Sequence, residues 1–195
     1  MKIHLHTLGC RLNQAEIETM ARRLAAGGHA IAADAAEADT VILNTCAVTA
    51  EAARDARNLT RRFARANPAA GIVLTGCYAT LAPDEVAALP GVARVVGNAD
   101  KARIPLLLDP TLPAEAPLFD REPLARETAA GSVGRTRGFI KVQDGCDNRC
   151  TFCVTTIARG QGVSRPLAEV VAEVRSFADA GYREVVLLSL SLIHI

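Results

Sequence analysis

The sequence has no tryptophan, only 4% aromatic residues and no marked excess of charge of either sign. Its 22 basic and 21 acidic residues give a formal net charge of +1, so no bulk basic field favours a nucleic-acid partner. Half of the residues are hydrophobic, as in globular rather than disordered chains. The core must therefore be built from Ala, Val, Leu and Ile on regular elements, within about one or one and a half domains.

A targeting segment and a long apolar run are also missing. The first six residues alternate apolar and polar side chains, and the longest apolar run, 185–195, is interrupted by two serines and a histidine. A membrane span needs about 20 apolar residues. We therefore expect a cytoplasmic chain without a membrane partner, whose six cysteines are metal ligands or reactive thiols rather than disulfides.

Short apolar strands alternate with amphipathic helices through the first hundred residues. The helices are marked by Thr49 as an N-cap, by Pro83 at a first turn and by glycines at their ends. Continuously apolar strands between helices indicate an α/β fold, with a parallel sheet covered on both faces. The predicted strands lie at residues 3–7, 29–32, 40–44, 72–75 and 92–96.

A proline-rich stretch divides the chain. Residues 109–136 carry several prolines and no sustained periodicity, which predicts a linker between a domain at 1–108 and a second unit at 137–195. The second unit reads as a strand at 139–142, a loop, a helix at 166–180 and a strand at 184–188. One βαβ unit cannot cover both faces of its sheet, so we expect residues 185–188 to be partly exposed and the second domain to be truncated.

The first three cysteines each follow a predicted strand. Cys10, Cys46 and Cys77 come just after strands that end at 7, 44 and 75. The carboxyl ends of parallel strands share one edge of a sheet, so these three thiols can meet at one site. The alternative is that each is an ordinary small buried residue near a strand end, because none belongs to a C-x-x-C pair.

The last three cysteines form C-x-x-x-C-x-x-C on one loop. Cys146, Cys150 and Cys153 suit a metal, and a fourth zinc ligand is not near, because the four histidines lie elsewhere in the sequence. Three ligands with one open iron fit a cubic iron-sulfur cluster that is used for chemistry. A zinc site, or a redox pair at 150 and 153, remains the alternative.

The residues around all six cysteines resemble the motifs of one enzyme family. The loop CDNRCTFC at 146–153 resembles the cluster motif of radical S-adenosylmethionine enzymes. Four further segments are similar to the methylthiotransferases, and most of all to their tRNA threonylcarbamoyladenosine branch. They are TLGCRLNQ at 7–14, NTCAVT at 44–49, TGCYA at 75–79 and QDGC at 143–146. The resemblance covers residues 1 to about 188.

This resemblance implies a fold and two cofactor sites. The fold is an amino-terminal methylthiotransferase domain followed by the first βαβ portion of a radical S-adenosylmethionine partial barrel. An auxiliary 4Fe-4S cluster maps onto Cys10, Cys46 and Cys77. A second 4Fe-4S cluster, which binds S-adenosylmethionine at its open iron, maps onto Cys146, Cys150 and Cys153. Phe152 maps near the adenine. From their position just beyond the cluster loop, and not from the resemblance, Arg159 and Arg165 are candidates for contact with substrate or cofactor.

The resemblance also implies a reaction and partners. One S-adenosylmethionine methylates a sulfur on the auxiliary cluster, and a second one yields a deoxyadenosyl radical that takes hydrogen from carbon 2 of threonylcarbamoyladenosine beside the tRNA anticodon. Methylthio is then inserted at that carbon. The electron donor is a reductant protein of the flavodoxin or ferredoxin type, and the sulfur donor is left open. Because the cofactors carry the difficult chemistry, no catalytic side chain is assigned.

The sequence departs from the family in two places. After Cys153 it reads VTTIARG at 154–160, where the family often has a proline and an aromatic residue. It ends in SLSLIHI at 189–195, where the family continues with a cofactor-binding turn, the rest of the partial barrel and an RNA-binding module. We therefore expect that the chain as written lacks methylthiotransferase activity by itself.

Three further functional interpretations remain open. Arg54, Arg57, Arg61 and Arg65 follow helical spacing, which suits either tRNA phosphates or an ordinary solvated helix face. The substrate of a sister branch, a ribosomal-protein aspartate, is an alternative to tRNA. A non-catalytic module whose iron-sulfur or zinc sites only stabilise the fold is the alternative of another class.

Overall fold

The computed structural model describes residues 1–112, 137–148 and 150–190. The greater part of the predicted linker, and the tail at 191–195, lie outside the described residues. Within 1–112 the elements are β1 (Lys2–Thr7), α1 (Arg11–Ala26), β2 (Ala30–Ile31), β3 (Thr40–Thr45), α2 (Ala50–Ala66), β4 (Gly71–Gly76), α3 (Cys77–Leu81), α4 (Pro83–Ala87), β5 (Val92–Val96) and α5 (Ile104–Leu108), with 3-10 turns at Ala35–Glu37 and Lys101–Arg103.

Five parallel strands form the sheet of the first unit, in the order β2-β1-β3-β4-β5. β1, β3 and β4 are neighbours, with Leu5 opposite Ile42 and Ile42 opposite Val73. The three strands that precede Cys10, Cys46 and Cys77 thus lie side by side and point the same way. The predicted α/β fold with a parallel sheet is confirmed.

Both faces of this sheet are buried. On one face Leu43, Leu74 and Val41 pack with Ala56 and Phe63 of α2. On the other face Ile42 and Val73 belong to a separate cluster with helix α1 and with the segment around α5. Alternating residues of β3 therefore pack in two separate cores, as expected for strands that are apolar throughout.

The second unit has a much smaller core. Its elements are β6 (Arg137–Lys141), β7 (Gln143–Asp144), α6 (Thr155–Arg159), β8 (Val163–Ser164), α7 (Leu167–Asp179) and β9 (Glu184–Leu188). β6 pairs with β9 in parallel, and β7 pairs with β8 in antiparallel fashion. Ile140, Val170 and Phe177 are the buried residues of its cluster. Leu187 is 54% exposed, and the expected exposure of β9 is confirmed.

The structure differs from the sequence-based prediction in its short elements. The segment 77–81 forms a single-turn helix where the sequence predicts a turn, and the single-turn helices at 104–108 and 155–159 lie where no helix is predicted. Helices of five residues show too little periodicity to be recognised, and they depend on tertiary packing. None of the helices in the described ranges has the length and apolarity that crossing a membrane requires.

Candidate functional site

The carboxyl edge of the sheet gathers the first three cysteines. Cys46 follows β3 directly, Cys77 is the first residue of α3 after β4, and Cys10 is the N-cap of α1 after β1. Cys46 and Cys77 are buried, whereas Cys10 is exposed. Burial raises the pKa of the Cys46 thiol, and the charges of Cys77 and Cys10 raise it further, so the three groups interact electrostatically. The three thiols thus follow neighbouring parallel strands at one edge of the sheet, and their assembly into one cluster site stays a prediction.

Gly9 allows the Cys10 loop to lie against Cys46. Its φ is +97°, a backbone conformation that side chains disfavour. A Cβ at this position would stand 2.5 Å from Cβ and 2.8 Å from Sγ of Cys46. The glycine before Cys10 is thus required by the close approach of two of the candidate ligands.

Four buried side-chain oxygens of the described residues have no hydrogen-bond partner. Three lie at the ends of the same strands, Thr7 Oγ1 of β1, Asn44 Oδ1 of β3 and Thr75 Oγ1 of β4, and the fourth, Asn98 Oδ1, follows β5. As the side chains are placed, no three His, Cys, Asp or Glu groups of the described residues are arranged to hold a metal ion. The donor set is nevertheless three free thiols beside unsatisfied polar groups, which fits a thiolate-held cluster.

The second cysteine set lies on the loop between β7 and α6. The Cys153 N–H donates to the Cys150 carbonyl at 3.0 Å, and the Cys146 N–H donates to the Gly160 carbonyl at 3.1 Å. These bonds fold the loop back onto the end of α6. All three thiols are partly exposed, and hydrogen bonds from Thr155 lower the pKa of Cys153. Three thiols of a single loop also fit a cluster with one open iron.

Phe152 projects from this loop into solvent. Its side chain is 90% exposed, which is unusual for the large apolar residues of this chain. An exposed aromatic ring next to Cys153 is compatible with stacking on a flat heteroaromatic ligand. The expected contact of Phe152 with adenine stays a prediction.

The two cysteine sets are neighbours in space. Helix α3, which begins at Cys77, packs against α6, which begins two residues after Cys153. The Asn98 side-chain amide donates to the Ala158 carbonyl of α6 at 2.6 Å and lies 3.8 Å from the Cys77 sulfur. One amide group thus connects the first site to the helix that follows the second.

Arg159 also joins the two units. Its side chain is 1% exposed. The guanidinium donates to Glu16 Oε1 at 2.9 Å, to Asp144 Oδ1 at 2.9 Å and to Asn13 Oδ1 at 2.5 Å. The expected role of Arg159 in cofactor binding stays a prediction, because these contacts are all to protein groups.

Glu16 is the centre of a buried cluster of charges. Its carboxylate accepts hydrogen bonds from Lys101 at 2.7 Å and from Lys141 at 3.1 Å, besides those from Arg159. Burial alone would raise the pKa of Glu16, but these three cations outweigh it and hold the pKa far below its usual range. The carboxylate is therefore charged and compensated from both units of the chain.

Sequence analysis did not single out Asn13, Glu16, Asn98 or Lys101. In the structure Asn13, Glu16 and Lys101 are buried, although polar residues of these types are usually exposed. The available signal was local: Asn13 and Glu16 lie on the inward side of α1, in the helical register of the buried Ile17 and Met20. A buried polar position can be recognised in that register only when its partners are known.

The four arginines of the predicted stripe on α2 differ in their contacts. Arg57 donates to the Tyr78 hydroxyl at 2.9 Å and pairs with Glu85 at 3.1 Å. Arg54, Arg61 and Arg65 are exposed along the helix. Arg165, expected near cofactor or substrate, donates to the Lys141 carbonyl and to Glu173. Its role, too, stays a prediction.

A cavity of about 650 Å³ lies beside the charge cluster, between α1 and the second unit. Glu16, Lys101, Lys141 and Phe139 are among its lining residues, and none of the six cysteines is. At its wall Glu16 is paired with Lys101 and Lys141, as described above. The cavity marks the contact of the two units and does not include the cysteine sites.

Two family models match separate parts of the chain. Residues 2–97 match the model described as "Uncharacterized protein family UPF0004", and residues 140–190 match the "Radical SAM superfamily". Together the matches cover most of the chain. Their boundaries correspond to the five-stranded sheet and to the β6-to-β9 unit.

Curated relatives match nearly the whole chain. Proteins named threonylcarbamoyladenosine tRNA methylthiotransferase MtaB are 35% identical over 191 residues in Bacillus subtilis and 37% identical over 187 residues in Chlamydia pneumoniae. A tRNA-2-methylthio-N(6)-dimethylallyladenosine synthase from Anaeromyxobacter dehalogenans is 36% identical over 195 residues. Each alignment covers 95% or 96% of this chain and 42% of the relative, so the chain spans less than half the length of these proteins.

Proposed function

The chain belongs to the radical S-adenosylmethionine methylthiotransferase family, and we propose that it carries the two cluster sites of an enzyme that methylthiolates tRNA. The substrate we propose is threonylcarbamoyladenosine next to the anticodon, modified at carbon 2. The single observation that carries the proposal is the contact between α3, which begins at Cys77 of the first triad, and α6, which follows the loop of the second triad, with Asn98 touching both.

Each triad is assigned one 4Fe-4S cluster. Cys10, Cys46 and Cys77 would hold the auxiliary cluster, and Cys146, Cys150 and Cys153 would hold the cluster that binds S-adenosylmethionine. When bound, these groups supply the one-electron and sulfur-transfer chemistry that side chains cannot provide. Support for two separate sites comes from the separate folding of the triads, one at three strand ends and one on a single loop.

The chain's own residues would bind and orient the reactants. Phe152 is exposed beside Cys153 and is proposed to lie against the adenine of the cofactor. The buried Cys46 and Cys77 keep water from one side of the auxiliary site. In keeping with this division of labour, no side chain is proposed as a general acid or base.

The proposed organisation has a domain for the auxiliary site at 1–108, a linker at 109–136 and a radical S-adenosylmethionine region at 137–195. The proposed partners are tRNA and a reductant protein of the flavodoxin or ferredoxin type, in the cytoplasm. The proposed class is supported by relatives that are named as tRNA-modifying enzymes. By itself the chain is proposed to bind its cofactors without completing the reaction.

A second substrate is favoured by one specific observation. The relative from Anaeromyxobacter dehalogenans, named for dimethylallyladenosine, is as similar to this chain as those named for threonylcarbamoyladenosine. The same chemistry on dimethylallyladenosine is therefore the second candidate. The ribosomal-protein aspartate gains no comparable support from the relatives described above.

The test of the cofactor sites is anaerobic reconstitution with iron and sulfide. We expect about eight irons for each chain, since two 4Fe-4S clusters are proposed. We also expect the electron paramagnetic resonance signal to change when S-adenosylmethionine is added. Replacement of Cys46 by Ser should remove about four irons and leave the response to S-adenosylmethionine, whereas replacement of Cys150 by Ser should remove that response. Zinc uptake without iron would contradict the proposal.

The substrate requires a longer protein that contains this chain. It is assayed on tRNA carrying threonylcarbamoyladenosine and on tRNA carrying dimethylallyladenosine, with mass spectrometry of the digested nucleosides. Methylthio addition to the first alone is the expected result. Addition to the second alone would replace the proposed substrate with the second candidate and keep the reaction class.

A further inference from the structure

Two side chains of the first unit contact the single turn of α6 in the second unit. Asn98 donates to the Ala158 carbonyl at 2.6 Å, and Asn13 accepts from the neighbouring Arg159 at 2.5 Å. Consecutive residues of α6 are therefore held from two directions. Asn98 and Asn13 belong to different elements, the segment after β5 and helix α1, so the contact does not depend on one local turn.

Asn13 extends this contact to two of the strand ends that carry cysteines. Its side-chain amide donates to the Leu8 carbonyl at 2.8 Å and to the Thr45 carbonyl at 3.1 Å. Leu8 lies two residues before Cys10, and Thr45 directly precedes Cys46. Asn13 is completely buried, so water does not compete for these bonds. Its oxygen faces Arg159 and its nitrogen faces the cysteine loops.

Asn98 makes the corresponding connection for the third cysteine. The same Nδ2 group that donates to the Ala158 carbonyl lies 3.8 Å from Sγ of Cys77. Every cysteine of the first triad is therefore linked, through Asn13 or Asn98, to residue 158 or 159. These two residues lie at the end of the turn that follows the second triad.

Glu16 keeps Arg159 in place. Both carboxylate oxygens lie within hydrogen-bond distance of the guanidinium, at 2.9 Å from Nη1 and 3.3 Å from Nη2, so the contact is bidentate. A bidentate contact fixes the plane of the guanidinium and thereby directs Nη2 toward Asn13 as well as toward Glu16. A lysine ammonium would match the charge and lack this fixed geometry.

We propose that Arg159 is a positioning residue that, through Asn13, holds the two cysteine triads at a fixed separation. We call Asn13, Glu16, Asn98 and Arg159 the inter-site bridge. The inference rests on the proposed function, because a fixed separation matters only when both triads carry a reacting group. In the proposed reaction the sulfur of one site must reach a substrate activated at the other, and small displacements reduce such reactions strongly.

The first experiment needs no cofactor. Hydrogen exchange of the apo chain is followed by mass spectrometry in wild type, Arg159→Met and Arg159→Lys. We expect exchange of the peptides 8–14 and 45–49 to become about tenfold faster in both variants, since each loses the hydrogen bond to Asn13. A merely structural arginine of the second unit would change exchange at 137–190 and leave 8–14 unchanged.

Arg159→Lys keeps the experiment decisive if the methionine variant does not fold. Lysine retains a charge beside Glu16, so the chain is expected to stay folded while the bidentate contact is lost. Wild-type exchange of 8–14 in the lysine variant would overturn the proposal, because charge alone would then be sufficient. Arg137→Met is the matched control: this arginine pairs with Glu184 within the second unit and is 54% exposed. It is expected to leave 8–14 unchanged.

The second experiment measures the separation itself. After reconstitution, the magnetic interaction between the two reduced clusters is measured by electron paramagnetic resonance in the same four proteins. We expect unchanged iron content in the Arg159 variants and a weaker, broader interaction than in wild type and Arg137→Met. An unchanged interaction would contradict the positioning role. If wild type takes up no iron, the proposed function fails, and the hydrogen-exchange result still decides whether the bridge holds the cysteine loops.

Discussion

Glu16 shows how a single buried carboxylate connects the two units. Lys101 comes from the end of the first unit, while Lys141 and Arg159 come from the second, and all three meet its two oxygens. An isolated charge in this position would be very unfavourable. Loss of the Glu16 carboxylate would leave these three cations with Asp144 as the remaining carboxylate partner of Lys141 and Arg159, so the cluster depends on Glu16.

We predict that Glu16→Gln destabilises the chain by about 3–5 kcal/mol at neutral pH, because it leaves buried cations uncompensated. The folded-state pKa of Glu16 lies below the unfolded-state value of about 4.3. Its contribution to stability is therefore complete above that value and is lost as the pH falls below it. Urea unfolding should show that the free energy of unfolding falls more from pH 7 to pH 3.5 in wild type than in Glu16→Gln.

The control for this prediction is Glu184→Gln. Glu184 forms a single ion pair with Arg137, and its side chain is 50% exposed. The substitution Glu184→Gln should change the free energy of unfolding by less than about 1 kcal/mol. Equal pH dependence of wild type and Glu16→Gln would contradict the assignment of acid sensitivity to Glu16.

Gly145 is a second residue whose position determines a site. Its φ is +67°, and a Cβ there would overlap the backbone carbonyl of Gln161. We predict that Gly145→Ala displaces the loop that begins at Cys146, and that reconstituted chains lose about four of about eight irons, since one of two 4Fe-4S clusters would be affected. Iron analysis after anaerobic reconstitution checks this.

Gly181→Ala is the matched control for Gly145→Ala. Gly181 also has a positive φ, +82°, but no atom would contact the added Cβ. The substitution should cost about 1–2 kcal/mol of conformational strain and leave the iron content unchanged. Equal iron loss in both variants would indicate general destabilisation instead of a local effect on the loop.

At the scale of elements, helix α2 carries the clearest candidate surface for tRNA. Arg57 is bound to Tyr78 and Glu85, which leaves Arg54, Arg61 and Arg65 as the exposed arginines of the predicted stripe. The helix begins at Ala50, after the N-cap Thr49, next to the cysteine edge of the sheet. Its direction therefore runs away from the candidate site along the first unit.

We predict that replacing Arg54, Arg61 and Arg65 together by Gln weakens tRNA binding and reduces its salt dependence. Each phosphate contact that is lost lowers the slope of log K against log salt by roughly 0.7–0.9. Titrations of labelled tRNA at several salt concentrations measure the slope. Arg94→Gln, on β5, is the control exposed arginine. An unchanged slope in the triple variant would assign the stripe to ordinary solvation.

The long elements could be predicted from the sequence, and the short ones could not. Strands such as β3 are apolar without interruption, and α2 has both an N-cap at Thr49 and a strong apolar face, so local pattern is sufficient. α3 and α6 have five residues each and are formed because they pack on one another between the cysteine sites. That packing depends on residues about 80 positions apart, which no local pattern contains.

The residues of the candidate site also differ in whether the sequence predicts them. The cysteines could be identified because their spacing and their place after strands are visible in the sequence. The inter-site bridge could not, because Asn13, Asn98 and Arg159 are meaningful only together, across 85 and 146 positions of chain. Arg159 was selected from its nearness to the cysteine loop, and its contacts with Asn13 and Glu16 required the structure.

At the scale of the molecule, the two units differ in the size of their cores. The sheet of residues 1–112 is buried on both faces by separate clusters. In the described part of the second unit, the core cluster has three buried residues, Ile140, Val170 and Phe177. β6 also packs against α1, and Phe139 lies beneath Arg11 at 5.3 Å. The second unit therefore depends on the first for part of its burial.

We predict that residues 1–112 fold alone, whereas residues 137–195 do not. The first fragment retains both apolar clusters and should unfold cooperatively on heating, since a two-faced sheet of this size can supply its own core. The second fragment loses α1 and the contacts of Arg159 and Lys141 with Glu16, and the small core cluster of its described residues cannot offset the entropy of ordering it. Circular dichroism melting of both fragments tests this. Cooperative unfolding of 137–195 by itself would contradict this, because it would show that the second unit does not need the first in order to fold.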